Sequence, residues 1–360
     1  VNALSRPPAA DRVLLIRLGA VGDVVRTLPA ASALRGAYAG AHLTWLVEPS
    51  SRSAIEGQPW VDEVLVFPRG EIEAALRRGR LLAAARALSG FIATLRRRRF
   101  DLVIDFHAIL KSGLLALVSG APRRASYAWP FARESAWLFA NARARIAPRR
   151  ISRFERNRGL VEFVAKGASA SPKPWRVDAA ARARMASAVG DARPVAIHPG
   201  TSAGTPHKRW GAARYAEVAR RLRDSAGVAS IVLFGPVPSE RVLAEEIVAA
   251  SDGAATLAPP TASLGELAAL LEQCRLYLGG DTGPMHVASL VGTPVLQILG
   301  PTDPIENEPY PGTPSRTLRV PVACSPCRRG CATAICLRLV TPSAVERAAR
   351  ELLAVGHAGW

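Results

Sequence analysis

Lysine is almost missing from a chain that is nonetheless strongly basic. Of 47 lysines and arginines only Lys111, Lys166, Lys173 and Lys208 are lysine, so the net charge of +18 is carried by arginine. Aromatic residues make up only 6% of the 360 positions. No apolar run approaches the roughly 20 residues of a bilayer-spanning helix. No basic segment followed by an apolar one opens the chain, so it reads as cytosolic, without an export signal. Recognition-helix, zinc-finger and RNP signatures are all lacking, as are repeats of solenoid period. Cysteine is scarce too, and Cys274 stands apart from the other four.

What is present argues for two packed cores. Hydrophobic residues make up 49% and charged ones 21%, which excludes disorder, and the length exceeds that of one ordinary core. The positive field attracts polyanions, whether nucleic acid, an anionic membrane surface or a phosphorylated substrate; arginine spread over solvated faces is the plain alternative. Cys324, Cys327, Cys331 and Cys336 follow one another as C-x2-C-x3-C-x4-C. Grouped thiols of this kind suit a structural metal, a compact reduced loop or redox-sensitive pairs, and only the first pair has a zinc-knuckle spacing.

Strand-length apolar runs alternate with helical patterns. Arg12 to Leu18 reads as a buried parallel strand; Gly19 to Asp23 is a turn, and Val24 to Leu34 has helical spacing. Strands follow at Leu43 to Val47, Val64 to Phe67 and Leu102 to Phe106, with one long helix expected from Ile72 to Leu95. Between Arg123 and Arg158 the pattern becomes irregular, like a long loop or short helices. A helix is expected from Phe154 to Ala165, and residues 166–174, rich in small residues and proline, form the best linker. A second series starts with the strand into His198-Pro-Gly-Thr201-Ser202 and continues through Lys208, the strand Ser230 to Phe234 and the turn before Glu240. The resulting expectation is α/β, with an N-terminal domain at 1–168, a C-terminal domain at 169–340, and a last helix within 341–360 that crosses back to the first domain.

The most informative stretch is Leu276 to Pro304. A strand runs into Gly279-Gly-Asp-Thr-Gly283, a short helix opens at Thr282 to His286, and a second strand ends in Gly300-Pro-Thr-Asp-Pro304. The unpaired N–H groups of a helix N-terminus make such a turn a phosphate cradle, although an ordinary βα turn reads the same way. The earlier turn at Gly19 to Asp23 lacks the full G-x-G-x-x-G, which weakens a dinucleotide reading.

In order and spacing, four motifs resemble glycosyltransferase family 9, the ADP-heptose:lipopolysaccharide heptosyltransferases. They are Arg17-Leu-Gly-Ala-Val-Gly-Asp23-Val-Val-Arg-Thr-Leu-Pro29, Asp101 to Ser112, His198-Pro-Gly-Thr-Ser202 with Lys208-Arg-Trp210, and Gly280-Asp-Thr-Gly-Pro-Met-His286 with Gly300 to Pro304. His107 stands where Gln is expected. The resemblance implies the GT-B fold, two Rossmann-like domains facing a central cleft, and inverting transfer of heptose from ADP-heptose to the Kdo/heptose inner core. It also implies Asp23 as catalytic base and Lys208 on the departing diphosphate. Thr201, Ser202, Glu240, Asp281, Thr282, Gly283 and His286 would bind the donor, and Lys111, Arg123, Arg124 and Arg143 the anionic acceptor. Asp-x-Asp, which typically holds a divalent ion in the other major glycosyltransferase fold, occurs nowhere, so no cofactor is expected for catalysis and any metal at the cysteines would be structural. The implied partners are an ADP-sugar, the lipopolysaccharide inner core and peripheral contact with the cytoplasmic face of the inner membrane, without nucleic acid. The competing readings are another nucleotide-sugar donor such as an N-acetylhexosamine, a GT-B epimerase, and a basic nucleic-acid-binding protein.

Overall fold

The structure is a computed structural model that describes residues 9–171, 173–201, 204–327, 331 and 333–355. It divides into two units, Val1–Arg176 and Val177–Trp360. In the first, six strands alternate with helices: β1 (Arg12–Ile16), α1 (Val21–Val25), α2 (Leu28–Ala37), β2 (His42–Val47), β3 (Glu63–Val66), α3 (Arg69–Arg77), α4 (Leu81–Arg97), β4 (Leu102–Asp105), α5 (Leu110–Val118), β5 (Arg123–Tyr127), β6 (Ala142–Ala144) and α6 (Arg153–Val164). The second runs α7 (Ala179–Val189), β7 (Val195–His198), α8 (Ala212–Ala226), β8 (Ser230–Val232), α9 (Pro238–Ala250), β9 (Ala255–Leu257), α10 (Leu264–Glu272), β10 (Leu276–Gly279), α11 (Gly283–Leu290), β11 (Val295–Ile298), β12 (Ser315–Leu318), α12 (Ile335–Arg338) and α13 (Pro342–Val355).

Both sheets are parallel, ordered β3-β2-β1-β4-β5-β6 and β12-β11-β10-β7-β8-β9. Numbered within each unit, both orders are 3-2-1-4-5-6, the doubly wound Rossmann order. Central strands of such sheets are covered on both faces, which is why β1 and β10 read as unbroken apolar runs: Val13 to Ile16 and Leu276 to Leu278 are wholly buried. The chain reverses direction across the sheet between β1 and β4, and again between β7 and β10. Loops that diverge there leave a crevice at the carboxyl ends of the strands, the usual ligand position in this fold.

Several boundaries differ from the sequence expectation for identifiable reasons. The helix expected over Val24 to Leu34 is broken at Arg26 and Thr27, because Pro29 in the first turn of α2 has no N–H to continue the ladder. The long helix expected over Ile72 to Leu95 is a hairpin, α3 and α4, turned at Gly79, whose φ of +69 is a left-handed conformation that favours glycine. The irregular stretch from Arg123 carries two short edge-side strands, β5 and β6, whose arginines hid the alternation. Residues 166–174 do not float free at their end, since the Ser171 N–H donates to Ser32 Oγ at 3.0 Å. The last helix packs on the second unit: Val345, Ala348, Ala349 and Leu352 of α13 join the core formed with Leu276, Leu278 and Leu296. Its apolar stripe is consumed there.

Leu278, wholly buried beside the β7–β10 reversal, tests that core. Leu278→Ala should destabilise the protein by about 2–5 kcal/mol through lost transfer energy and a residual cavity, read as a lower denaturant midpoint.

Candidate active site

In the first unit, the loop after β1 and the first turn of α1 gather a single carboxylate among arginines. Asp23 pairs with Arg17, with Arg26 at 2.6 Å on the next helical turn, and with Arg153 at 3.1 Å from the start of α6. The Arg17 and Arg26 side chains are only 6% exposed, against 22% for Asp23. Burial alone would raise the Asp23 pKa; the pull of Arg17, Arg26, Arg153 and Arg156 outweighs it and holds the carboxyl well below its ordinary range. Asp23 is therefore ionised at every physiological pH.

The loop after β4 supports this turn. Asp105, 2% exposed, accepts hydrogen bonds from the N–H groups of His107 at 2.9 Å and Ala108 at 3.0 Å, and from Ser112 Oγ at 2.8 Å. These bonds hold Ala108 in a left-handed conformation, φ +54. Burial pushes the Asp105 pKa up to about 6 despite the three donors. Arg17 also donates to the Phe106 carbonyl at 2.7 Å, and the Leu18 N–H donates to His107 Nδ1 at 3.3 Å. That bond assigns the His107 proton to Nε2, and burial, with Arg17 adding to it, lowers the ring pKa to about 3. His107 is thus a neutral imidazole whose Nε2–H is a donor. Glu48, just beyond β2, accepts from Lys111 Nζ at 2.7 Å and from Arg69 at 2.9 Å.

In the second unit the loops after β7 and β10 meet. Lys208 Nζ lies 3.4 Å from Asp281 Oδ2, and His286 Nε2 lies 3.7 Å from Asp281 Oδ1. Thr282, the residue before α11, directs its hydroxyl away from the helix to Tyr277 Oη and to His198 Nδ1, both at 3.2 Å. Burial lowers the His198 pKa to about 4, so it is neutral. Glu240, in the first turn of α9, accepts the Gly235 N–H at 2.8 Å. A Cβ on Gly200 would lie 3.8 Å from the Glu240 carboxyl carbon, and one on Gly279 would lie 2.8 Å from the His198 carbonyl oxygen. Glycine is required at Gly279 because β7 and β10 approach too closely there for a side chain. Thr201 accepts from Arg209 Nε at 3.2 Å; Ser202 lies outside the described residues.

The sequence candidates thus fall into three groups. Asp23 and Lys111 stand at the carboxyl edge of the first sheet, and Thr201, Lys208, Glu240, Asp281, Thr282, Gly283 and His286 at that of the second. Arg123 and Arg124 do not belong with Asp23: they begin β5, level with Leu102 and Val103 at the opposite end of the sheet. Arg124 is spent on the carbonyls of Phe139 and Ala121, and Arg143 Nε on that of Ala140. The four clustered cysteines are unpaired; Cys336 is turned into the core beside Gly300 while Cys324 and Cys331 are exposed. Among the described residues no three His, Cys, Asp or Glu side chains form a group that could hold a metal ion. Sequence reasoning passed over Arg26, Arg153 and Arg156 around Asp23, and Tyr277 and His198 around Thr282. The i, i+3 spacing of Asp23 and Arg26 was the one local signal; the others meet only through the fold.

Two Rossmann-ordered sheets, each with charged loops at its reversal point, define a two-domain α/β enzyme with the architecture of nucleotide-sugar transferases. The chain belongs to glycosyltransferase family 9 (heptosyltransferase), whose sequence profile matches residues 89–335. It is 30% identical over 321 residues to lipopolysaccharide heptosyltransferase 1 of Pseudomonas aeruginosa, covering 88% of this chain and 86% of that protein. Among solved structures, it is similar to the glycosyl transferase family 9 protein of Veillonella parvula (TM-score 0.76, 23% identity, 96% and 98% of the two chains). It is equally similar to E. coli heptosyltransferase WaaC with ADP (TM-score 0.76, 24% identity, 95% and 99%). The fold is GT-B and the protein is a glycosyltransferase, which displaces the nucleic-acid-binding reading of its charge.

Asp105 gives this site a measurable pH signature. Its folded pKa of about 6 exceeds the ordinary 3.8, so the native state binds more protons between these values and stability falls as pH rises through them. Asp105→Asn should remove that fall, which amounts to roughly 3 kcal/mol at most. Denaturant midpoints of both proteins at pH 4.5 and 7.5 measure the difference.

Proposed function

We propose that the protein transfers heptose from ADP-heptose to the Kdo/heptose inner core of lipopolysaccharide, with inversion at the anomeric carbon and without a metal. The observation that carries this reading is the pairing of Lys208 with Asp281 beside the first turn of α11, at the reversal point of the second sheet. The N–H groups of Gly283 and Met285, with Pro284 supplying none, offer a diphosphate the positive end of that helix. E. coli WaaC, similar in fold, has been solved with ADP and with ADP-2-deoxy-2-fluoro heptose.

In this reading the acceptor hydroxyl oxygen bonds to the anomeric carbon as the bond from that carbon to the β-phosphate oxygen breaks. Asp23 takes the hydroxyl proton. Its depressed pKa keeps it ionised and makes it a weak base, so the proton moves as the new bond forms and not before. Lys208 turns from Asp281 toward the charge growing on ADP, and the N–H groups of α11 share that charge. Glu240, its one oxygen held by Gly235, offers the other to the ribose hydroxyls. Arg17, Arg26 and Arg153 exceed the charge of Asp23, which suits an acceptor rich in carboxylates; Lys111 adds to that side. Arg123, Arg124 and Arg143 contribute to the long-range field that draws anionic acceptor and the membrane surface. Among the described residues no helix is long and apolar enough to cross a membrane, and contact with the inner membrane in this reading is peripheral.

A thermal-shift panel of ADP, UDP, GDP and ADP-heptose, followed by mass spectrometry of transfer to Kdo-lipid A, tests the reading. Stabilisation by ADP and ADP-heptose with one added heptose is expected, and a uridine or guanosine preference overturns the donor assignment. Asp23→Asn should lower turnover by about 10²-fold or more while the ADP-induced shift persists; near-normal turnover removes Asp23 as the base. EDTA should leave turnover unchanged at constant folded fraction, and a loss would mean that a metal takes part.

A further inference from the structure

The hairpin of α3 and α4 carries apolar stripes that outrun the core beneath them. Ile72 of α3 and Phe91 and Leu95 of α4 pack in the first unit's core, with Phe91 edge-on to Phe67 at 5.3 Å. One helical repeat further out on each helix the same faces have nothing to cover them: Leu76 is 50% exposed, Leu81 68% and Leu82 84%. Leu88, 39% exposed, marks where cover gives out, about 10 Å along α4 from Leu81. The turn between the helices is ordered, the Gly79 N–H donating to Leu76 and the Arg80 N–H to Ala75.

The charge on this tip has one sign. From position 74 to position 100 there is no aspartate or glutamate, and Arg77, Arg78, Arg80 and Arg86 are all exposed. None of the four has a salt-bridge partner among the described residues. A nucleic acid would satisfy the guanidinium groups but has no apolar phase for three leucines, and the tip has no aromatic ring on which a base could stack. An anionic bilayer offers both. Phosphate headgroups accept from arginine, and leucines on a short helical end bury about 5–10 Å into the boundary between headgroups and acyl chains.

We propose that the α3–α4 tip, Leu76 to Leu82, is the element by which this protein docks on a bilayer containing anionic phospholipid. The proposal rests on the peripheral membrane contact read above and names the surface that makes it. The arginines supply attraction at a distance and the leucines supply retention, so the two act at different salt concentrations.

The test is co-sedimentation of the full-length protein with large vesicles of phosphatidylethanolamine and phosphatidylglycerol, 3:1 by design, against vesicles of phosphatidylcholine alone. Binding to the anionic vesicles is expected. Arg77→Ser, Arg78→Ser and Arg80→Ser together should weaken it at low salt, by about fivefold per arginine and roughly a hundredfold in all. Leu81→Ser with Leu82→Ser should weaken it at low and high salt alike. Turnover on a delipidated, water-soluble inner-core acceptor should be unchanged in both variants; if wild type lacks that turnover the transfer reading fails, while the vesicle result still reads docking alone. Equal partition of wild type and both variants overturns the proposal. So does a leucine variant that changes the protein's mass in sedimentation without changing vesicle binding, which would make the tip a contact between copies of this chain.

Discussion

A buried guanidinium group must find a counter-charge, and in the first unit one carboxylate serves three. Arg17 and Arg26 are nearly closed to water, so the cost of leaving either unpaired would be several kcal/mol. Asp23 answers both, and reaches Arg153 as well. The same contacts tie together the end of β1, the first turn of α1 and the start of α6, which are distant in sequence. Arg17 extends the tie to β4 through the Phe106 carbonyl. The residue proposed as the base is therefore also the one that holds its own loop in shape.

The second unit uses the same strand order to a different end. Its reversal point holds a cation already partnered, Lys208 with Asp281, and two histidines in the interior. His198, kept neutral by burial, orients the Thr282 hydroxyl instead of adding charge. Rossmann topology fixes only where the loops diverge; which atoms occupy the divergence is decided by short polar segments such as 198–201 and 280–286.

Much of this was legible in the sequence, because parallel strands covered on both faces must be apolar throughout and strand ends must turn. The runs at 12–16, 195–198 and 276–279 announce themselves in that way, and with them the loops that carry Asp23, Thr201 and Asp281. The helix breaks were harder to see. Gly79 within an otherwise helical stretch, and Thr27 two residues before Pro29, were there to be read, but periodicity runs straight through both. β5 and β6 were hidden by arginines, since the alternation of an edge-side strand is carried by few residues. Arg123 and Arg124 show the clearest limit. Their charge suited the acceptor, yet only strand register reveals that they begin β5 at the far end of the sheet. Arg153, a partner of Asp23, lies 130 positions away, and no local pattern could have joined the two.

Gly279 shows how little space the second reversal point leaves, and the contact between Lys208 and Asp281 has a consequence of its own. A cation already answered by a neighbouring carboxylate exerts only a weak pull on passing anions. If, as proposed, the first turn of α11 holds a diphosphate, that ligand would give Lys208 a reason to exchange partners that a small singly charged ion would not. On the proposed reading the Lys208–Asp281 pair is the resting state to which the site would return as the spent nucleotide leaves.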